Sequence, residues 1–325
     1  MKIFEIKNDY HQLKLLDHGA TIYEWLSFSD KTSIVLNNLD KNIYKESTKG
    51  YFGSTIGRVA NRIANGQFTL NEQIFTLPKN YLGKHTLHGG PFSLNTKYFE
   101  VVEHQTNLVK FKYVSNHMEN GFPGDVIIYV TYQLDGPSML MTYDAVSNKD
   151  TILNLTNHAH FNLGAKDILE HELISNADRY LAVDDDLIPT GQVVRMLADD
   201  PLNFMNKKII KDGILPLKDS QTKGIDHAYI FADNLPRTLT LFYKNRALKI
   251  ETSYPGHQVY TVNRKFEQLT KDFKEIPLYA AIAFECQIEP DAINHPNFNS
   301  PILKAGEKYH HYIKYTTVET TNNNL

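Results

Sequence analysis

The sequence has little of what marks secreted, membrane-bound or nucleic-acid-binding proteins. Among its 325 residues there is one cysteine, Cys286, so the chain cannot form an internal disulfide. A chain without disulfides fits a reducing compartment, and the cytoplasm is the predicted location. The formal net charge is only −3 at pH 7, which gives the protein no bulk attraction for nucleic acid or for an anionic membrane.

Long apolar runs are absent too, and no stretch is long enough to span a bilayer as a helix. The first nine residues, MKIFEIKND, mix charged and apolar side chains from the start, which is not the pattern of a signal or transit peptide. Gly/Ser-rich or Pro-rich linkers and internal repeats are lacking as well. The sequence therefore predicts a single domain over residues 1–325.

What the sequence does contain is a succession of short strand-like segments, each rich in β-branched and aromatic residues and closed by Gly, Pro, Asn or Asp. Residues 68–77 hold two apolar runs around a polar turn, which predicts a β-hairpin. Several segments alternate, as in KFKYV at 110–114, which is typical of a sheet with one packed and one wet face. Further strands are predicted at 99–102, 108–114, 126–134, 139–146, 152–155, 193–197, 229–231, 239–243, 248–252, 259–262, 281–285 and 312–317.

These strands predict an all-β fold built as a sandwich, because many short alternating strands bury their apolar faces against a second sheet. With 42% hydrophobic residues the chain has enough apolar material for a sizeable core. One segment departs from the strand pattern. Apolar residues at positions 266, 269 and 273 have helical spacing, which predicts a short helix between Arg264 and Lys274.

Three groups of polar residues lie beside glycines or at strand ends, where the backbone can approach a ligand closely. Glu285 is the sharpest candidate, because AIAF before it predicts a buried strand, and a buried carboxylate is costly without a partner. Taken singly, polar residues of this kind are more often structural than catalytic. For Glu285 the structural alternative is a position at the solvent-exposed end of its strand. The three groups are GRVANRIANG at 57–66 with TLHGG at 86–90, NLTNHAHFNL at 154–163, and GIDH at 224–227 with FECQ at 284–287.

In this order the groups resemble those of the aldose 1-epimerases, the galactose mutarotase family. The resemblance covers nearly the whole chain, and it implies a large antiparallel β-sandwich of the galactose mutarotase type. It also implies an isomerase that interconverts the α and β anomers of free hexoses such as galactose and glucose by opening and reclosing the ring. The matching segments are GATI at 19–22, GRVANRI at 57–63, LHGG at 87–90, NLTNH at 154–158, IPTG at 188–191, GIDH at 224–227, PGHQVYT at 255–261, ECQ at 285–287 and PDAINHP at 290–296.

For individual residues, the resemblance implies that Glu285 is the general base and His158 the general acid. This chemistry needs one group that accepts a proton and one that donates it, and neither a metal nor an organic cofactor is expected. The expected partner is a small aldose, and the sequence leaves open whether the chain is a monomer or a homodimer. Four residues are implied to bind the sugar: Asn61, Arg62, His88 and Asp226.

The chain departs from the family pattern at two positions. Where much of the family has an aromatic residue two positions after the acid, this chain has His160. A His-x-His pair can hold zinc, but no cysteine or further histidine cluster accompanies it, and a metal site is not predicted. Tyr254 stands where the family often has Gln before Pro-Gly, which predicts the loss of an amide contact to the sugar. Three aromatic residues are candidates either for lining an apolar sugar face or for simple packing: Phe92, Tyr254 and Tyr260.

Three other functions are open at this point. An epimerase of hexose 6-phosphates needs a cluster of arginines, whereas only Arg58 and Arg62 fall in the matched segments. A carbohydrate-binding sandwich without catalysis is the second, since fold alone does not guarantee activity. The third is a glycosidase that uses Asp226 and Glu285 as its pair of carboxylates.

Overall fold

The computed structural model describes residues 1–45, 51–267, 270 and 274–321, and β-strands dominate this part of the chain. The strands of its N-terminal half are β1 (Ile3–Lys7), β2 (Gln12–Leu16), β3 (Thr21–Ser27), β4 (Thr32–Ser33), β5 (Thr55–Ile56), β6 (Arg62–Ile63), β7 (Gln67–Leu70), β8 (Gln73–Thr76), β9 (Thr86–Leu87), β10 (Glu100–His104), β11 (Leu108–Ser115), β12 (Val126–Asp135), β13 (Ser138–Ser147), β14 (Thr151–Ile152), β15 (Thr156–Asn157) and β16 (His160–Phe161). The strands that follow are β17 (Glu172–Ser175), β18 (Ala177–Val183), β19 (Pro189–Arg195), β20 (Lys208–Ile209), β21 (Asp226–Phe231), β22 (Thr238–Tyr243), β23 (Arg246–Thr252), β24 (Gly256–Tyr260), β25 (Ile282–Gln287), β26 (Ile302–Leu303) and β27 (Lys308–Glu319).

Helices are few and short in the described ranges. The one α-helix there, α1, covers Ile210–Ile214. No helix of the described residues has the length and apolar composition needed to cross a membrane. Single turns of 3₁₀ helix lie at Lys41–Lys45, Ala64–Gly66, Leu94–Thr96, Glu119–Gly121, Leu215–Leu217 and Ala292–Asn294.

Two large antiparallel sheets form the sandwich, which confirms the predicted all-β fold. The larger has nine strands in the order β10-β11-β12-β13-β27-β23-β22-β17-β20, and the smaller has six in the order β16-β25-β24-β21-β18-β19. Strand β12 shows why they pack, because its residues alternate between buried and more exposed along the strand. Phe111 and Tyr143 of the larger sheet share one apolar core with Phe161 and Phe284 of the smaller. A four-stranded sheet, β1-β2-β3-β4, adds Trp25 to that core.

The local predictions hold in one place and fail in another. The hairpin predicted at 68–77 is formed by β7 and β8, in which Phe68 pairs with Phe75. The helix predicted at 264–274 is wrong for the described residues, because Phe266 forms an isolated β-bridge with Ile276. Positions 269 and 273, on which that helix also depended, lie outside the described residues.

Strand β25 is the element that joins the core to the functional site. All six of its residues are buried, because one of its faces packs in the core through Ile282, Phe284 and Cys286 while the other faces away from it. Glu285 lies on that second face. Since directly paired residues share a face, Gln258 of β24 lies beside Glu285.

Candidate active site

A cavity of about 490 Å³ lies over the second face of β25. That volume falls in the usual range for small-molecule sites. Its lining mixes ionisable groups with the rings of Tyr51, Tyr81 and Tyr260. The structure therefore brings residues from distant parts of the chain to one pocket, and these include all six that the resemblance pointed to: Asn61, Arg62, His88, His158, Asp226 and Glu285.

His158 and Glu285 meet at the floor of this pocket. His158 Nε2 lies 3.4 Å from Glu285 Oε1, and only 8% and 3% of the two side chains are exposed. The backbone of His158 is fixed on both sides, because its N–H donates to the carbonyl of Ser54 and its carbonyl accepts from the N–H of Gly53, each at 3.0 Å. An imidazole and a carboxylate are thus held side by side where a ligand can touch both.

Burial determines how this pair holds its protons. It raises the pKa of Glu285 to about 8, and the negative charge of Asp226 adds to the effect while Arg62 opposes it. Burial also lowers the pKa of His158 to about 4, although Asp226 favours the charged form. Because desolvation exceeds the effect of the neighbouring charges, the pair carries one proton at neutral pH, and in the empty pocket that proton is on Glu285.

Arg62 and Asp226 form a second pair in the pocket wall. Arg62 Nη2 lies 3.5 Å from Asp226 Oδ2, and the Arg62 guanidinium also stacks over the ring of Tyr81 at 4.9 Å. Gln258 Nε2 donates to the other carboxylate oxygen of Asp226. The ion pair is long for a hydrogen bond, so both groups keep capacity to donate to and accept from the hydroxyls of a sugar.

Asn61 positions its neighbours through its own backbone and side chain. Its Oδ1 accepts from the backbone N–H of Arg62 at 2.9 Å and from Arg62 Nη1 at 3.1 Å. Its backbone N–H donates to His88 Nδ1 at 3.1 Å. Burial, followed by the positive charges of His158 and Arg62, holds the pKa of His88 well below its ordinary value. His88 is therefore neutral with its proton on Nε2, which makes it a hydrogen-bond donor to a ligand.

Comparisons with known proteins agree with this architecture. The protein-family model for aldose 1-epimerase matches residues 2–316. The chain belongs to the aldose 1-epimerase family. It is 33% identical over 320 residues to a galactose mutarotase of Mus musculus, covering 95% of this chain and 91% of that protein. It is 35% identical over 318 residues to an aldose 1-epimerase of Haemophilus influenzae, covering 94% and 92%.

A solved structure supports the same assignment. The crystal structure of an aldose epimerase homologue from C. elegans matches with a TM-score of 0.88 and 29% identity, over 98% of this chain and 99% of that one. The family, the sandwich fold and the isomerase activity that the sequence predicted are thereby confirmed. This aldose 1-epimerase is a mutarotase of aldose sugars.

The mutarotase also contains a group of side chains with the chemistry of metal ligands. One ligand atom from each of His88, His158 and Glu285 lies within 4.8 Å of the others. Two histidines and a glutamate are a common zinc set. Here, however, the N–H of Asn61 occupies His88 Nδ1, so His88 Nε2 carries a proton and offers no lone pair. The donor set therefore fits a hydroxylated ligand better than a metal ion.

His160 and Tyr254, the two departures from the family pattern, have different outcomes. His160 lines the pocket, with its ring stacked on that of His158 at 4.8 Å, so the two rings do not converge on a common metal position. Tyr254 does not reach the pocket. Its hydroxyl donates to the carbonyl of Leu155 and pairs with the hydroxyl of Tyr309 in the core. Tyr254 therefore makes no contact with the pocket, and the loss of an amide contact to the sugar at this position stays a prediction.

Of the remaining residues that the sequence suggested, some line the pocket and others lie outside it. Tyr260 lines the pocket, whereas Phe92 is 68% exposed and lies outside it. Arg58 is buried away from the pocket, and its guanidinium donates to the carbonyls of Ser115, Pro123 and other loop residues. Of the two motif arginines, only Arg62 therefore remains as a pocket residue. The arginine cluster that a phosphate ester needs is not formed by these two residues.

Sequence reasoning missed several residues in or beside the pocket of this mutarotase. Gln258 stands inside a matched segment and does not line the pocket, but the register places it beside Glu285, and its side chain donates to Asp226. Tyr51 and Leu187 gave no signal, because a single aromatic or apolar residue in a loop is not distinctive. Both line the pocket because the loops that carry them converge there.

Proposed function

We propose that this mutarotase interconverts the anomers of free hexoses such as galactose and glucose in the cytoplasm, with His158 and Glu285 as its proton-transfer pair. The observation that carries the proposal is the 3.4 Å contact between His158 Nε2 and Glu285 Oε1 at the pocket floor. Ring opening requires proton transfer at two oxygens bonded to the same carbon, C1. An acid and a base must therefore lie next to each other, as these two groups do.

When the sugar binds, the proton of the pair first passes from Glu285 to His158 across their contact. The ring then opens when Glu285 takes the proton from the hydroxyl on C1 and His158 gives its proton to the ring oxygen. The electron pair of the O–H bond becomes the second bond of the C1 carbonyl, and the bond between C1 and the ring oxygen breaks. Glu285 is then protonated and His158 is neutral. This is the protonation state that burial favours in the empty pocket, so the site is matched to the open-chain aldehyde.

Reclosure completes the exchange. Rotation about the C1–C2 bond presents the other face of the aldehyde to the hydroxyl that becomes the ring oxygen. His158 then accepts the proton of that hydroxyl while Glu285 returns its proton to the oxygen on C1. Each turnover regenerates the starting state, with one proton on the pair, and consumes no further reagent.

The pocket wall supplies the orientation. Arg62 and Asp226 donate to and accept from ring hydroxyls, and the Nε2–H of His88 adds a donor whose tautomer is fixed by Asn61. Fixed donors and acceptors hold the reacting carbon near the acid and the base, which lowers the entropic part of the barrier.

Polarimetry tests the proposal. We expect the purified protein to accelerate the mutarotation of α-galactose and α-glucose above the spontaneous rate, and to leave glycosides unhydrolysed. Glucose 6-phosphate serves as a comparison substrate, because Lys223 and Arg264 also line the pocket. Acceleration for the phosphate ester without acceleration for any free hexose would overturn the proposed substrate class, and glycoside hydrolysis would overturn the reaction.

The pH dependence of kcat/KM should follow the two ionisations of the pair. Between about pH 4 and pH 8 the pair holds one proton, which is the active state. Above about pH 8 Glu285 loses that proton, and the pair has no acid left. Below about pH 4 His158 is protonated as well, so the pair holds two protons and has no base left. We expect a broad plateau with both limbs, measured by polarimetry after subtraction of the spontaneous rate. A profile in which kcat/KM changes only once, near the ordinary histidine pKa of about 6.5, would contradict the assignment of the two ionisations to this pair.

A further inference from the structure

The ring of His158 lacks the hydrogen bond that usually orients a proton-transfer histidine. In many enzymes a third group binds the far nitrogen of the imidazole and holds its plane. Here His158 Nδ1 is buried, and no other side chain of the described residues forms a hydrogen bond with it. Its Nε2 meets Glu285 only at 3.4 Å. No third side chain therefore fixes the ring plane through Nδ1, and the rings packed against His158 are the contacts left to do so.

Two rings stack on His158. The ring of His160 lies 4.8 Å from it at an interplanar angle of 23°, and the ring of Tyr51 lies 5.7 Å from it at 24°. His88 approaches edge-on, at 5.4 Å and 76°. The second side-chain torsion of a histidine has broad energy wells, so flat neighbours stacked on the ring restrict rotation that the torsion itself permits.

His160 is itself held rigidly. It pairs with Ala283 across β16 and β25, which places it on the same face as Glu285, two residues along. It is buried, and the ring of Phe52 packs against it at 4.8 Å. The ring that supports the acid is thus attached to the strand that carries the base. Stacking on His160 fixes the distance between the two proton-transfer groups as well as the plane of His158.

We propose that His160 and Tyr51 are positioning residues that hold the imidazole of His158 in plane for proton transfer, in place of a hydrogen-bonded third group. The proposal rests on the proposed function, since it gives His158 its role. Orientation of the acid matters at the step where a proton moves to the ring oxygen. Loss of the stack therefore lowers kcat more than it changes KM.

Substitutions at His160 test the proposal, with His257 as a matched control. His257 is also a buried histidine stacked on a ring, that of Tyr229 at 5.4 Å, but it lies in the core outside the pocket. We expect His160→Ala to lower kcat by about tenfold or more with a KM change below about twofold. His160→Phe should recover most of the loss, because it restores a flat ring stacked on His158. His257→Ala should lower the melting temperature and leave kcat near the wild-type value.

Each outcome bears on one proposal. If the wild-type protein does not accelerate mutarotation, the proposed function fails. If the wild type is active and folded His160→Ala retains its kcat, or His160→Phe recovers nothing, the stacking proposal alone is wrong. Should His160→Ala fail to fold, Tyr51→Leu provides the same test at the second stacked ring. It is expected to lower kcat more than Tyr51→Phe does, and equal values for these two variants would overturn the proposal.

Discussion

Replacing Glu285 by Gln is expected to lower kcat by about a hundredfold or more, because the amide cannot accept the proton of the C1 hydroxyl. The substitution keeps the shape of the side chain, so the packing of β25 and the contact with His158 change little. Because the buried Glu285 carboxyl is already neutral at neutral pH, the neutral amide replaces it without burying or removing a charge, and the melting temperature should change little. Initial rates of galactose mutarotation over a range of concentrations give kcat and KM separately.

Glu289→Gln is the control for that variant. Glu289 is also largely buried, and its carboxylate accepts from Asn299 Nδ2 at 2.8 Å outside the pocket. This variant should keep the wild-type kcat. If Glu285→Gln is folded and as active as Glu289→Gln, Glu285 is not the base, whatever the family of the chain.

Replacing His158 by Asn is expected to have an effect of similar size, since Asn cannot donate a proton to the ring oxygen on the time scale of turnover. Thermal unfolding and circular dichroism check that the variant is folded. His18→Asn is the matched control, because His18 is buried outside the pocket and burial lowers its pKa to about 4 as well. A His158→Asn variant with the activity of His18→Asn would show that the acid lies elsewhere.

The double variant adds a sharper test of the pair. Groups that act together in one proton transfer lose most of their effect when either is removed. We therefore expect Glu285→Gln combined with His158→Asn to be little less active than either single variant. Two independent hundredfold losses that multiply would mean that the two residues act in separate steps.

The fold was predictable from local sequence to the level of its strands. Residues 126–134 and 139–146 alternate clearly, and they form β12 and β13 with few residues added at the ends. Sheet order was not predictable, because β27 inserts between β13 and β23 through pairing over a long sequence separation. The helix expected at 264–274 shows the limit of periodicity, since three apolar residues at helical spacing are too few to decide the structure, and Phe266 forms a β-bridge with Ile276 instead.

The site was predictable where a residue conflicts with its local surroundings. Glu285 in an apolar strand is such a conflict, and the pocket explains it. Arg58 and Arg62 look alike in sequence. Arg58 donates hydrogen bonds to loop carbonyls, whereas Arg62 lines the pocket. Only the three-dimensional course of the chain distinguishes them. Gln258 reaches Asp226 through the strand register, and Tyr51 lines the pocket through loop packing; neither leaves a local trace in composition.

The two-sided burial of β25 also bears on how this mutarotase can be changed by evolution or by design. Residues 282–287 have no exposed face on which substitutions are easily accepted, because all six are buried, three of them in the core and Glu285 at the pocket floor. A new substrate preference is therefore more accessible through the loops at the rim, where Tyr81 and Leu187 stand, than through the strand that carries the base. Variant libraries aimed at altered sugar range should leave the floor intact and vary the rim.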